Sequence, residues 1–239
     1  MKFDTHVMDI IKPAYDVKSF RFPRPVSFDY KPGQFMYIAL KSGKKVMMKH
    51  FTISSSPTED CLEFTKKLTG QDFSNALDAL EIGDSVEING PFGFFTFEGE
   101  LEKVGMLTGG IGITPIRSMC RFCTDEEKVA DIVLLYGNRC EKDIAFFKEF
   151  KEMPKQNKNL RIVFTLSEPD EGWTGRSGRI NMEIVKEEIP DYMERIFFVC
   201  GPPRMVEALD NMLKELGLPQ SQINKEDFPG YEKVQVYDH

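Results

Sequence analysis

The residues best placed to do chemistry fall in a few short runs. Lys49-His50-Phe51-Thr52-Ile53-Ser54 sets a cation, an aromatic face and hydroxyls almost side by side. A cation suits a phosphate, a ring suits a flat heterocycle, and a hydroxyl suits a ring nitrogen. Period-two alternation sends Lys49 and Phe51 to one face and His50 and Thr52 to the other, unless the strand bends. The same run also reads as an ordinary amphipathic strand. In Gly109-Gly110-Ile111-Gly112-Ile113-Thr114-Pro115 the glycines remove Cβ atoms that keep a phosphate at a distance. Pro115 suits a first helical turn, where its missing N–H costs little. The unpaired N–H groups and the dipole of a helix start favour negative charge. Gly109, Gly110, Gly112 and Thr114 therefore read as a pyrophosphate cradle, with a tight strand-to-helix turn as the alternative. Tyr136-Gly137-Asn138-Arg139 and Cys200-Gly201-Pro202-Pro203 end two further strand patterns.

The elements that must position these runs differ between the two halves. Up to about residue 97 the chain reads as short strands: YDVKSFRF, QFMYIALK, VMMKHFTIS, CLEFTKKL and DSVEING. Turn signals separate them, and a single short helix covers Phe73 to Leu80. This pattern predicts a small antiparallel barrel. After Glu98-Gly99-Glu100 strands and helices alternate: VGMLTG, TPIRSMCRFCTDE, IVLLYG, DIAFFKEFKEM, LRIVFTLS, NMEIVKEEI, RIFFVCG and PPRMVEALDNMLKELG. Such alternation builds a parallel sheet covered on both faces, whose ligands sit outside the carboxyl ends of the strands. Three glycine-bearing strand ends in one sheet predict one long cleft that an extended dinucleotide would fill.

Composition excludes several classes. The net charge of −7 argues against a nucleic-acid partner. No apolar run approaches the roughly 20 residues of a membrane span, and the N-terminus has no signal-peptide core, so a cytoplasmic location is expected. The cysteines (Cys61, Cys120, Cys123, Cys140 and Cys200) are odd in number and read as reduced thiols. Cys120 and Cys123 lie in a helical pattern and read as core filler. His6, His50 and His239 form no spaced ligand set, so no metal is expected. Trp173 begins a loop, WTGRSGR, that reads either as packing near the cleft or as a half-buried anchor.

Five motifs in order resemble the ferredoxin–NADP reductase superfamily, nearly the whole length of the chain. KHFTISSSP resembles the family's flavin motif, Gly90 to Gly93 (GPFG) its closing turn, and GGIGITP its pyrophosphate loop; YGNR and CGPP complete the set. The resemblance implies an antiparallel FAD-binding β-barrel (residues 1–99) and a doubly wound α/β domain binding NAD(P) (residues 100–239). It places Lys49 on the FAD pyrophosphate, Phe51 on the isoalloxazine ring and Thr52 near flavin N5. Gly70 and Ser74 would donate to flavin phosphate. Gly110, Gly112 and Thr114 would hold the nicotinamide dinucleotide, with Cys200, Gly201 and Pro202 where the nicotinamide meets the flavin. The chain departs from the family at Lys49, usually arginine, and at Phe51, usually tyrosine. Leu68-Thr69-Gly70-Gln71 carries a single glycine, which keeps FMN open as the alternative to FAD.

The implied activity is hydride transfer from NADH or NADPH to FAD, catalysed with Thr52 and Cys200 at the transfer site. Electrons would then pass to an acceptor protein such as a ferredoxin, a flavodoxin or an oxygenase component. The alternative is a flavin-binding relay or regulatory subunit without nicotinamide turnover. Glu168, Asp170 and Glu171 follow a strand where the resemblance puts the adenosine ribose, so a preference for NADH is expected; Arg139, Arg176 and Ser167 could instead accept a 2′-phosphate.

Overall fold

The computed structural model describes residues 1–42, 45–98 and 101–228. The expected domain boundary at residues 99 and 100, and His239, lie outside these. The first half contains β1 (Lys2–His6), β2 (Asp9–Ala14), β3 (Val17–Pro23), β4 (Phe35–Ser42), β5 (Lys45–Thr52), β6 (Cys61–Lys67), α1 (Asp72–Asp78) and β7 (Ser85–Phe92). All pairings are antiparallel, in sheets of order β1-β7-β4-β5 and β2-β3-β6. An Ile53–Phe64 bridge joins the two sheets. The expected strands are present. β1 and β2 were not foreseen, because their residues are mostly half-buried or exposed and Pro13 interrupts the pattern. A proline in a strand is tolerated at a sheet edge, which is where β2 lies.

Phenylalanines fill the barrel. Phe64 stacks on Phe51 at 4.6 Å, on Phe20 at 5.1 Å and on Phe22 at 5.8 Å. Each such buried ring contributes about 1.5–3 kcal/mol over an exposed one.

The second half runs β8 (Lys103–Gly109), a 3-10 turn at Gly110–Gly112, α2 (Ile113–Asp125), β9 (Asp131–Asn138), α3 (Phe147–Gln156) and β10 (Leu160–Leu166). It continues with β11 (Arg176–Ser177), α4 (Met182–Glu188), β12 (Ile196–Gly201), α5 (Pro203–Glu215) and β13 (Ile223–Asp227). The sheet order is β11-β10-β9-β8-β12-β13, all parallel. Apolar clusters cover both faces. The chain leaves β8 in one direction and later returns to its other side, so the topology switches between β8 and β12. Among the described residues no helix is long and apolar enough to cross a membrane.

The helix reading needs one correction. The helix predicted from Asp143 begins only at Phe147, because Phe146 takes a left-handed conformation (φ 59°) that breaks the helical run. β13 was missed because INKED is mostly charged; as an edge strand it exposes most of those side chains.

Candidate functional site

β4 and β5 pair Phe35 with Thr52 and Tyr37 with His50. Alternation therefore holds to the strand end. The Thr52 side carries an aromatic wall: His50 lies 5.2 Å from Phe35 and 5.8 Å from Tyr37, and Phe92 lies 5.9 Å from Phe35. Thr52 is buried, and among the described residues its Oγ1 has no hydrogen-bond partner. Buried hydroxyls are almost always bonded, so an orphan beside an aromatic wall fits a flat ligand that carries its own donors and acceptors.

Lys49 and Phe51 take the opposite side. The Phe51 ring is sealed in the barrel core between Phe64 and Phe73. The expected stacking face is thus turned inward, because residue 51 falls on the core phase of β5. Lys49 Nζ lies 5.8 Å over the Phe73 ring. Lys66, on neighbouring β6, is 1% exposed, and burial and the charge of Lys49 push its pKa down to about 8. Two close cations in a shielded place suit a phosphate. Sequence reasoning missed Lys66, although the alternation of EFTKK offered the signal. Ser74 Oγ accepts from Thr69 N at 2.9 Å, which leaves its own proton to donate; Gly70, at φ 71°, opens the same turn. Ile53 and Ser54 are buried, and Ser54 Oγ donates to Glu63 Oε1 at 2.8 Å. Those two residues support the strand end from within.

At the glycine turn the roles divide. Gly110 has φ 54°, and a Cβ added there would meet nothing within 4 Å. That is the open side of the loop. Gly112 has ordinary helical dihedrals, and a Cβ there would lie 2.6 Å from Gly201 Cα and 2.8 Å from Cys200 O. Its bareness serves the close passage of β12. Thr114 is buried and its Oγ1 donates back to Ile111 O at 3.1 Å; Pro115 is buried at the start of α2. Tyr136 is fully buried and its hydroxyl donates to Gly110 O at 3.1 Å, bracing the loop from beneath. Cys200 also departs from expectation. Its thiol is fully buried and donates to Gly112 O at 3.0 Å, and burial pushes its pKa well up. The side chain of Cys200 therefore offers the cleft no thiolate.

The three strand ends do meet. Gly109, Gly110, Gly137, Asn138 and Pro202 line a cavity of about 630 Å³, closed on the barrel side by Val17 and Lys67. Arg139, Arg179 and Arg204 also line it; the last two were missed although Arg179 ends the WTGRSGR loop and Arg204 directly follows Cys200-Gly201-Pro202-Pro203. Ser167 reaches the wall, but Glu168, Asp170 and Glu171 do not. Glu168 N bonds Arg139 O at 2.8 Å, and Arg176 is held by Glu187 and Glu188. The acidic reading of the ribose at Glu168 is thus without a contact in the cavity. Trp173 is absent from the wall as well: its Nε1 donates to Arg176 O at 2.9 Å, as a loop anchor would. Glu226 pairs in register with Cys200, and its buried Oε2 is unpartnered among the described residues. Burial and the neighbouring Asp227 carboxylate raise its pKa to about 7.

The comparisons agree with this geometry. Residues 5–97 match the family model described as an oxidoreductase FAD-binding domain, and residues 106–211 match an oxidoreductase NAD-binding domain. The glycine betaine monooxygenase reductase subunit of Pseudomonas aeruginosa is 34% identical over 227 residues. That alignment covers 92% of this chain and 62% of the relative, so the chain spans less than two thirds of that relative's length. NADH-cytochrome b5 reductase 1 of Dictyostelium discoideum is 30% identical over 217 residues, covering 87% of this chain and 76% of the relative. The cytochrome b5 reductase domain of Ulva prolifera nitrate reductase superposes with a TM-score of 0.82 at 26% identity, covering 95% and 97% of the two chains. Barrel, switch-point cavity and both family models converge: the chain belongs to the ferredoxin–NADP reductase superfamily, an oxidoreductase FAD-binding domain followed by an oxidoreductase NAD-binding domain.

Proposed function

We propose that this protein takes a hydride from NADH or NADPH onto FAD and passes electrons on to an acceptor protein. The observation that carries this reading is the cavity walled jointly by the nucleotide sheet (Gly109, Gly110, Gly137, Pro202) and the barrel (Val17, Lys67). A dinucleotide lying there ends at the interface with the flavin-type barrel. FAD bound along β5 would supply hydride acceptance and single-electron release, chemistry that no side chain provides.

This chain's own residues bind and orient. Lys49 and Lys66 would neutralise flavin phosphate, Gly70 and Ser74 would donate to it, and His50 would flank the ring together with Phe35 and Tyr37. Thr52 Oγ1 would hydrogen-bond the ring near its reacting nitrogen. Gly110 would admit the nicotinamide dinucleotide pyrophosphate, while Gly112, Thr114, Tyr136 and Cys200 hold the loop in shape. Asn138, Arg139 and Pro202 would line the nucleotide. The barrel domain is taken to run to residue 99. The named relatives serve an oxygenase and a cytochrome b5; an oxygenase component or a small electron-carrier protein is the proposed acceptor.

The test is spectroscopic. Protein loaded with FAD is expected to be yellow and to bleach anaerobically on adding NADH or NADPH, then to recover its colour with a one-electron acceptor such as ferricyanide. A protein that holds flavin but ignores both nucleotides overturns the reading in favour of a relay or regulatory subunit.

A further inference from the structure

Arg117 lies one turn into α2, just past the glycine loop, and is 3% exposed. Its side chain leaves its own domain. Nη1 donates to Ser54 O at 2.7 Å and to Glu59 Oε2 at 2.8 Å, and Nη2 to Glu59 Oε1 at 3.1 Å. Nε donates to Glu149 Oε2, from α3, at 2.9 Å. Glu63 Oε1 stands 3.9 Å away, and the guanidinium sits 5.0 Å over the ring of Phe146, the residue held at φ 59°. The next residue continues the link: Ser118 Oγ donates to Ser55 O at 2.6 Å. Two consecutive carbonyls just beyond Thr52 are thus fastened to two consecutive residues of the helix that starts at the glycine loop.

The charges suit a rigid joint. Glu59, Glu63 and Glu149 come from both domains and converge on one guanidinium, whose planar fork grips a carboxylate in a single orientation. Burial alone would raise the carboxyl of Glu59, but hydrogen bonding and charge from Arg117 hold it below the usual range. Burial keeps Glu149 above that range despite the same partner. A lysine could keep the charge but could not satisfy Ser54 O, Glu59 and Glu149 together.

We infer that Arg117 is a positioning residue for hydride transfer, fixing the nucleotide loop relative to the Thr52 strand end and not itself contacting either ligand. The inference rests on the proposed reading of the two sites. Hydride transfer needs its atoms within about 3–3.5 Å, and a displacement near 1 Å costs on the order of a hundredfold. Residues Gly110 and Thr52 lie on opposite sides of the interface that Arg117 closes.

The experiment compares wild type with Arg117→Lys in two arms. In the first, flavin-loaded protein is reduced anaerobically by stopped flow over a range of nicotinamide nucleotide. The limiting rate is expected to fall about tenfold or more while the apparent Kd and flavin content change less than about threefold. In the second, flavin-free protein carries spin labels at the exposed positions Val26 and Val129, one in each domain, in a Cys61→Ser background. The interlabel distance distribution is expected to be narrow in wild type and broader or shifted in Arg117→Lys. If both arms move, the inference stands; a lower Tm with the limiting rate or the distances unchanged overturns it. Should Arg117→Lys fail to fold, Glu59→Gln and Ser118→Ala are judged by the same two criteria. A wild-type protein that neither nucleotide reduces defeats the functional reading alone, and the distance arm still decides the clamp.

Discussion

A buried hydroxyl without a partner is a cost that the folded chain carries for some reason. An unsatisfied group of this kind costs about 1–3 kcal/mol. Thr52→Val is therefore expected to raise the Tm of flavin-free protein, measured by thermal melting, while slowing flavin reduction in loaded protein about 10- to 100-fold. A mutant that reduces at wild-type speed removes Thr52 from the site. Glu226 tests the same principle through pH. Its folded pKa, about 7, lies above the ordinary carboxylate value. The folded state thus binds this proton more tightly than the unfolded chain. That contribution to stability is complete below about pH 4.5 and is lost as pH rises through 7. Glu226→Gln is expected to flatten the fall in Tm between pH 5 and 8. An identical pH profile in wild type and mutant would show that Glu226 is ordinarily solvated.

At the scale of elements, the turn between β8 and α2 holds glycines for different reasons. Gly112→Ala drives a methyl into the backbone of β12, where neither neighbour is a flexible side chain. A marked loss of thermal stability is expected, with or without nucleotide, by about 1–3 kcal/mol for the overpacking. Gly110→Ala meets open space and only a left-handed dihedral, which costs about 1–2 kcal/mol. Its expected effect is on nucleotide affinity, read by titration against a flavin content that stays constant. Equal nucleotide affinity in Gly110→Ala and wild type would mark the loop as a structural turn throughout.

At the scale of the whole molecule, the proposed nucleotide site turns on which strand ends reach the cavity. Arg139 and Arg179 reach it together with Ser167, and the acidic run that follows does not. Glu168→Gln is accordingly expected to leave the ratio of kcat/KM for NADH and NADPH unchanged. Arg179→Ala is expected to lower kcat/KM for NADPH selectively, by about 1.5–3 kcal/mol for a lost charge-assisted contact. A ratio that responds to Glu168→Gln would return the ribose to the acidic loop. Arg139 is the weaker candidate, since Asp143 Oδ2 already stands 3.3 Å from its Nε.

Local pattern alone determined most of the architecture. The period-two strands, the strand–helix alternation and the order of the glycine-bearing motifs each encode a local geometry, so the two domains and the meeting of three strand ends were legible without coordinates. What local pattern could not settle was the partner of each side chain. Phe51 and Cys200 belong to the right motifs, yet packing turned the ring into the barrel and sealed the thiol under Gly112. A bare backbone at Gly112 reads the same whether a ligand or another strand passes it; the position of β12 adds the close strand passage that the sequence does not show. Lys66, Glu226 and Arg117 carried no motif at all. Their significance comes from burial against residues distant in the chain, such as Glu59 and Ser54 for Arg117, and burial is a property of the assembled fold.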